Sequence, residues 1–232
     1  MPYPAAWLQG ASLGENITWE LRLQIIRGFY KPDTVLSENQ LASEFGTSRS
    51  PVREALKVLA GEGLIRLERM GAVVIGMTPG DMEELFDVRL LIENFVTERL
   101  LRQDVNHLAD KLNQIIDRME IALKHKDVLG FSYQDVLFHE SLVQAARHNR
   151  ILHTWNNLRA LILSVMIAAT EKRFESNIVQ SEDTIAKHRA VVNALGSKDA
   201  RLVRELVQEH YLDTRLAVND SVLSTYREIT GR

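Results

Sequence analysis

The chain has 232 residues, a formal net charge of -3, 45% hydrophobic and 25% charged residues, and no cysteine. That composition suits a globular protein of one large or two modest domains, and it excludes disulfides and any thiolate-bound zinc or iron–sulfur centre. The near-neutral charge does not advertise a nucleic-acid partner, so such a role must be read from where the basic residues sit.

Residues 1–12 form an N-terminal extension carrying Tyr3, Pro4, Trp7 and Leu8. They contain no basic stretch followed by an apolar core, so no signal peptide is expected. A helix is predicted from about Asn16 to Arg27, with Leu21, Ile25 and Ile26 facing inward, and Pro32-Asp33 marks a turn. Ser37 opens a second, short helix, and Gln40 three residues on completes a capping-box pattern. That helix stops at Phe45-Gly46, where glycine suits the left-handed position after a helix. Ser48 caps a third helix running to about Gly61. Two strand-like runs follow, Leu64–Glu68 and Ala72–Gly76, joined through residues 69–71. Residues 77–80, Met-Thr-Pro-Gly, break the pattern and are the expected linker.

Beyond Asp81 glycine and proline are scarce, and apolar residues recur every three and four positions. Six long helices are predicted, roughly over 81–102, 105–124, 127–147, 150–173, 181–195 and 198–224. The most apolar run, residues 160–169, is far too short to cross a bilayer. The sequence therefore predicts a mainly α, cytoplasmic protein without a membrane partner. Its expected divisions are the extension 1–12, a first domain 13–76, the linker 77–80 and an all-helical domain 81–226.

Helix, short helix, turn, helix and hairpin is the layout of a winged helix-turn-helix, which places the start of its third helix in the major groove. Arg49, Arg53 and Lys57 are spaced by four and share one face of that helix. Thr47, Ser48 and Ser50 cluster at its start, where hydroxyls and free N–H groups bind phosphate. Ser37 is assigned to phosphate positioning in the same way. Val52, Ala55, Leu56, Leu59 and Ala60 form the opposite, core face, and Arg69 stands at the wing tip beside a flexible Gly71. A merely solvated basic face would show the same three charges. The order of turn, caps and wing around them favours DNA.

The stretch LSENQLASEFGTSRSPVREALKVLAGEGLIRLERMGAVVIG resembles the DNA-binding domain of the GntR family of bacterial regulators. The resemblance implies contacts to double-stranded operator DNA from Arg49, Arg53 and the wing around Gly71, made by a homodimer held through its C-terminal helices. One position departs from the pattern. Asn39 stands where many members have arginine, which removes a charge from that contact and bears on operator choice.

Among the seven histidines, His107, His125, His148 and His153 read as surface or packing residues. The other three lie on apolar stripes. His139 follows Asp135 by four, on a face with Phe131, Phe138, Leu142 and Ala146. His188 accompanies Ile185, Val192 and Leu195, and His210 accompanies Leu202, Val203 and Leu206. A carboxylate buried without partners is costly. One reading is a buried Asp–His hydrogen bond with two core histidines. The other is one divalent metal per chain held by all four, with zinc foremost and nickel, manganese or iron open. Arg89 lies on a buried stripe too, either paired with Glu93 four residues on or free to take a ligand carboxylate. Asn149, Asn156 and Arg159 are weaker candidates to line the same cavity. A metal with open positions can also serve a hydrolase, but no general base stands beside these residues, so an enzyme is not expected.

The C-terminal part resembles the FCD ligand-binding domain of the FadR-like branch of GntR regulators. DVLFHE, AKHRAV and VQEHYL match its ligand pattern at Asp135, His139, His188 and His210, and RLLIE matches its R-x-x-x-E at Arg89. With YPAAWL, DVRLLIENFVTERL and FSYQDVLFHE, the chain is further similar to members that respond to sugar acids. The resemblance implies a repressor released by a small carboxylate effector, gluconate or a related sugar acid. The alternative is a metal-responsive regulator in which the ion is the signal.

Overall fold

The computed structural model describes residues 11–69, 71–176 and 179–230. Tyr3, Pro4, Trp7 and Leu8 of the extension, and Met70 of the wing, lie outside them. The chain clusters into two compact units, one within Met1–Asp81 together with Val222–Arg232 and one spanning Met82–Ser221.

In the first unit helix α1 covers Leu13–Ile26, three residues earlier than expected. The reason is Ser12. Its hydroxyl accepts from the Glu15 N–H at 3.2 Å while Glu15 Oε2 accepts from the Ser12 N–H at 2.6 Å, a closed capping box. Strand β1 (Val35–Ser37) leads directly into α2 (Glu38–Glu44), and α3 runs Arg49–Gly61. The hairpin is β2 (Ile65–Glu68) and β3 (Gly71–Val74). β1 was not anticipated. It pairs antiparallel with β3, so the wing is a three-stranded sheet of order β1-β3-β2. Three residues are too few to show alternation, which is why the strand escapes a pattern search.

The expected capping box at Ser37 is corrected as well. Ser37 occupies the N-cap position of α2 without a side-chain capping bond, and Gln40 instead donates to Glu44 Oε1 at 2.8 Å. Ser37 is already committed to the sheet, opposite Gly71. Gly46 does take the left-handed conformation after α2. The core of the unit joins Ile17 and Leu21 of α1, Leu41 of α2, Val52, Ala55, Leu56 and Leu59 of α3, and Leu36, Ile65, Ala72 and Val74 of the sheet. A buried Arg22, stacked on Trp19, forks onto Glu62 with both bonds at 2.7 Å and ties α1 to the residue that ends α3.

The second unit takes α4 (Pro79–Leu100) from Met82 onward, α5 (Asn106–Lys124), α6 (Val128–Ala145), α7 (Asn149–Ser176), α8 (Val179–Ser197) and α9 (Ala200–Thr230) as far as Ser221. Thr78 and Asp81 cap each other at the entry to α4, and Asp127 caps α6 by accepting from the Gly130 N–H at 2.9 Å. Packing of α6 against α5 and α7, and of α5 against α8, buries Phe131, Phe138, Met119, Ile116, Trp155 and Ile167. No helix among the described residues is long and apolar enough to cross a membrane.

Candidate functional site

Two surfaces of different character stand out, one exposed in the first unit and one buried in the second. On α3, Val52, Ala55, Leu56 and Leu59 are buried, which turns Arg49, Ser50, Arg53 and Lys57 outward. Ser48 holds the N-cap position without a side-chain bond, so its exposed hydroxyl remains available. Asn39 and Arg69 are exposed, and Ser37 and Thr47 are half-buried. Arg53 forks onto Glu38, with Nε to Oε1 at 3.1 Å and Nη2 to Oε2 at 2.9 Å. This bond holds the Glu38 carboxyl below its ordinary pKa, and it fixes the guanidinium on the exposed face.

Gly71 differs from expectation. It is buried, not a flexible tip, and a Cβ there would lie 2.0 Å from the Leu36 carbonyl oxygen. Its place is to let β3 approach β1 closely.

In the second unit, ligand atoms of Asp135, His139, His188 and His210 lie within 4.8 Å of one another, and all four residues are buried. Asp135 and His139 come from α6, His188 from α8 and His210 from α9. The expected stripe around His210 is corrected: Leu202 is exposed, and the buried face is Val203, Val207, His210, Tyr211 and Thr214.

The outer nitrogen of two rings is pinned. His139 Nδ1 meets Glu93 Oε2 at 2.6 Å, and His188 Nδ1 meets the Thr184 carbonyl at 2.7 Å. Burial raises the Glu93 pKa, but Glu93 also accepts from Arg89 Nε at 3.2 Å and from the Tyr211 hydroxyl, and both of these donors favour its carboxylate form against His139. Both outer nitrogens are therefore donors, and both Nε2 atoms present lone pairs inward. There His139 Nε2 meets His210 Nε2 at 3.3 Å, and His188 Nε2 meets Asp135 Oδ1 at 3.4 Å.

Asp135 Oδ2 and His188 Nε2 have no hydrogen-bond partner. Burial lowers the pKa of His139, His188 and His210, so the rings are neutral at pH 7. At His188 and Asp135 acceptor faces acceptor in a buried site, which a cation resolves. One carboxylate and three neutral imidazoles can hold a divalent ion.

Residues 13–75 match "Bacterial regulatory proteins, gntR family", and residues 84–213 match "FCD domain". Across 222 residues the chain is 44% identical to the "Gluconate operon transcriptional repressor" of Bacillus licheniformis, spanning 96% of this chain and 91% of that one. The chain belongs to the GntR family. The protein of the same name from Bacillus subtilis (strain 168) is 42% identical over the same shares of both chains. "E. coli McbR/YncC" shares the fold, with a TM-score of 0.70 at 18% identity, covering 90% of this chain and 98% of that one. This GntR-family chain with an FCD domain is thus a transcription regulator and not an enzyme.

Arg89, expected either to pair with Glu93 or to remain free, does pair, yet its Nη1 has no partner. Arg159 is half-buried and bonds Glu140 at 2.8 Å. Asn149 and Asn156 do not line a buried site; both are exposed on the first turns of α7, whose buried face begins at Trp155. His107, His125 and His153 are exposed, and His148 accepts the Ile151 N–H at 3.2 Å near the start of α7. Sequence reasoning missed the part Glu93 plays for His139, and it missed Tyr211, Thr184 and Arg173. Tyr211 had a signal, since it directly follows His210 and falls four residues after Val207.

Proposed function

We propose that this protein is a transcriptional repressor that binds operator DNA as a homodimer and is released by a small sugar acid held at a buried metal ion. The observation that carries the reading is the buried convergence of ligand atoms from Asp135, His139, His188 and His210 within 4.8 Å of one another, in a chain that also exposes a basic helix. Residues 13–76 read DNA, with 77–80 as the hinge and 81–226 as the sensing and dimerising part, in the cytoplasm.

Arg49, Arg53 and Lys57 approach bases and backbone from the groove. Ser37, Asn39, Thr47, Ser48, Ser50 and Arg69 position phosphates, and Gly71 holds the wing in shape. Support for the effector class comes from the two Bacillus relatives, whose name is gluconate operon repressor. Gluconate, the acid in that name, stands for the class in the release test.

Zinc best suits the donor set; nickel, manganese and iron share it. Bound there, the ion would supply a Lewis-acidic position for a carboxylate. The chain's own part is orientation: Glu93 and Thr184 fix two imidazoles, and Arg89 directs Nη1 at the anion.

The test is operator release. Metal-loaded protein on operator DNA should dissociate on adding gluconate, while metal alone leaves the complex intact. Release by metal alone would replace this reading with an ion sensor.

A further inference from the structure

One arginine near the cluster is not used by this scheme. Arg173, one turn from the end of α7, is 5% exposed. Its Nη1 donates to Thr184 Oγ1 at 3.3 Å, while Nε and Nη2 have no hydrogen-bond partner among the described residues. Burial lowers its pKa, opposed by the charge of Asp135. A guanidinium stays protonated even so, and burying one without an anion is unfavourable.

The surroundings are polar and equally unsatisfied. Thr170 and Ser181 are fully buried, and the hydroxyls of both lack partners. Thr170 and Arg173 share a face of α7. Ser181, Thr184 and His188 recur at three and four along α8, so they share a face there. Thr184 joins the two sets, accepting from Arg173 through its hydroxyl and from His188 through its carbonyl. This lining extends the cluster on the His188 side, whereas Arg89 reaches it on the His139 side through Glu93.

Charge balance points the same way. With a divalent ion bound, Arg89 and Arg173 add to its charge, and Asp135 and Glu93 offset only half of the total. A monoanionic effector would leave one positive charge buried.

We infer that Arg173, with Thr170 and Ser181, is a second anion-recognising subsite, and that the pocket prefers a sugar acid with two anionic groups. One group meets the metal and Arg89, and the other takes the open Nε and Nη2 edge of Arg173, an edge suited to carboxylate or phosphate. The inference rests on the metal-anchored effector reading above.

The test is calorimetric titration of metal-loaded protein with gluconate, D-glucarate (a second carboxylate) and 6-phosphogluconate (a phosphate). Wild type should bind one of the two longer anions at least about tenfold more tightly than gluconate, and which one identifies the second group. Arg173→Gln should abolish that preference while changing gluconate affinity less than about threefold. Arg173→Lys keeps the charge and loses the fork, so it should fall between them.

Gluconate binding and operator release without any preference for the longer anions would overturn the subsite and leave the effector reading standing. If no sugar acid binds, the effector reading fails. Inorganic phosphate then decides the subsite: a thermal shift in wild type that Arg173→Gln lacks supports it, and equal shifts overturn it.

Discussion

His139 is held at both ends: Glu93 takes one ring nitrogen and the other points at His210. Glu93 therefore sets tautomer and orientation, and Glu93→Gln should weaken metal binding about 10–100-fold, as losses of such outer partners do. Metal content after competition with a graded chelator checks this. Loss of a proposed direct ligand should be more severe: His188→Ala or His210→Ala should lose the ion and, with it, the thermal stabilisation that a bound ion confers. Three imidazoles with depressed pKa also set a pH dependence. Below about 6.5 the unfolded chain takes up protons that the folded chain refuses, so stability is present above that pH and is lost as pH falls further. Glu93, whose pKa burial raises, opposes this as one group against three. Metal-free protein should melt several degrees lower at pH 5.5 than at pH 7.5, at roughly 2–4 °C per kcal/mol. A flat profile over that range would contradict the neutral-imidazole picture.

At the scale of elements, long helices were legible because the three-and-four apolar spacing persists for many turns, and Asp135 and His139 showed themselves as polar breaks in such a stripe. Short-range features were less legible. β1 is three residues long, and Ser37 looked like a cap because a motif search does not see that its strand pairs with β3. Arg173 escaped because nothing in its local sequence says that α8 will close over it. Gly71 was legible as a glycine but not as a contact. Gly71→Ala forces Cβ onto the Leu36 carbonyl, so it should destabilise by on the order of 1–3 kcal/mol, read by denaturant unfolding. On α3, Arg53→Ala should weaken operator binding by about 1–3 kcal/mol per half-site, measured by fluorescence anisotropy. Glu38→Gln tests the ion pair: the freed Arg53 should bind non-operator DNA relatively better, lowering the ratio of specific to non-specific affinity.

For the whole molecule, the proposed function links dimerisation to effector control. One winged helix-turn-helix per half-site needs two chains at fixed spacing. An apolar stripe suited to a second copy runs along α4, where Val88, Leu91 and Phe95 are 40%, 71% and 43% exposed at three-and-four spacing. Leu91→Glu should shift the protein towards monomer in sedimentation and lower operator affinity, with the Glu93–His139 bond on the opposite, buried face of α4 left in place. In that proposal the effector acts by favouring a dimer arrangement in which the α3 helices no longer match the half-site spacing, because a ligand moves an equilibrium only by its differential affinity. Linkage makes the coupling reciprocal, so operator DNA should weaken effector binding by the same factor by which effector weakens operator binding, typically about 5–150-fold. Titrating effector into metal-loaded protein with and without saturating operator measures one factor, and titrating operator with and without effector measures the other. Both runs must share one salt concentration, because the DNA term falls steeply as salt rises. Equal factors above unity support release through a shared two-state element. A factor of one in both directions would mean that the buried site and the DNA-reading helix are not coupled, and the ion would then serve stability alone.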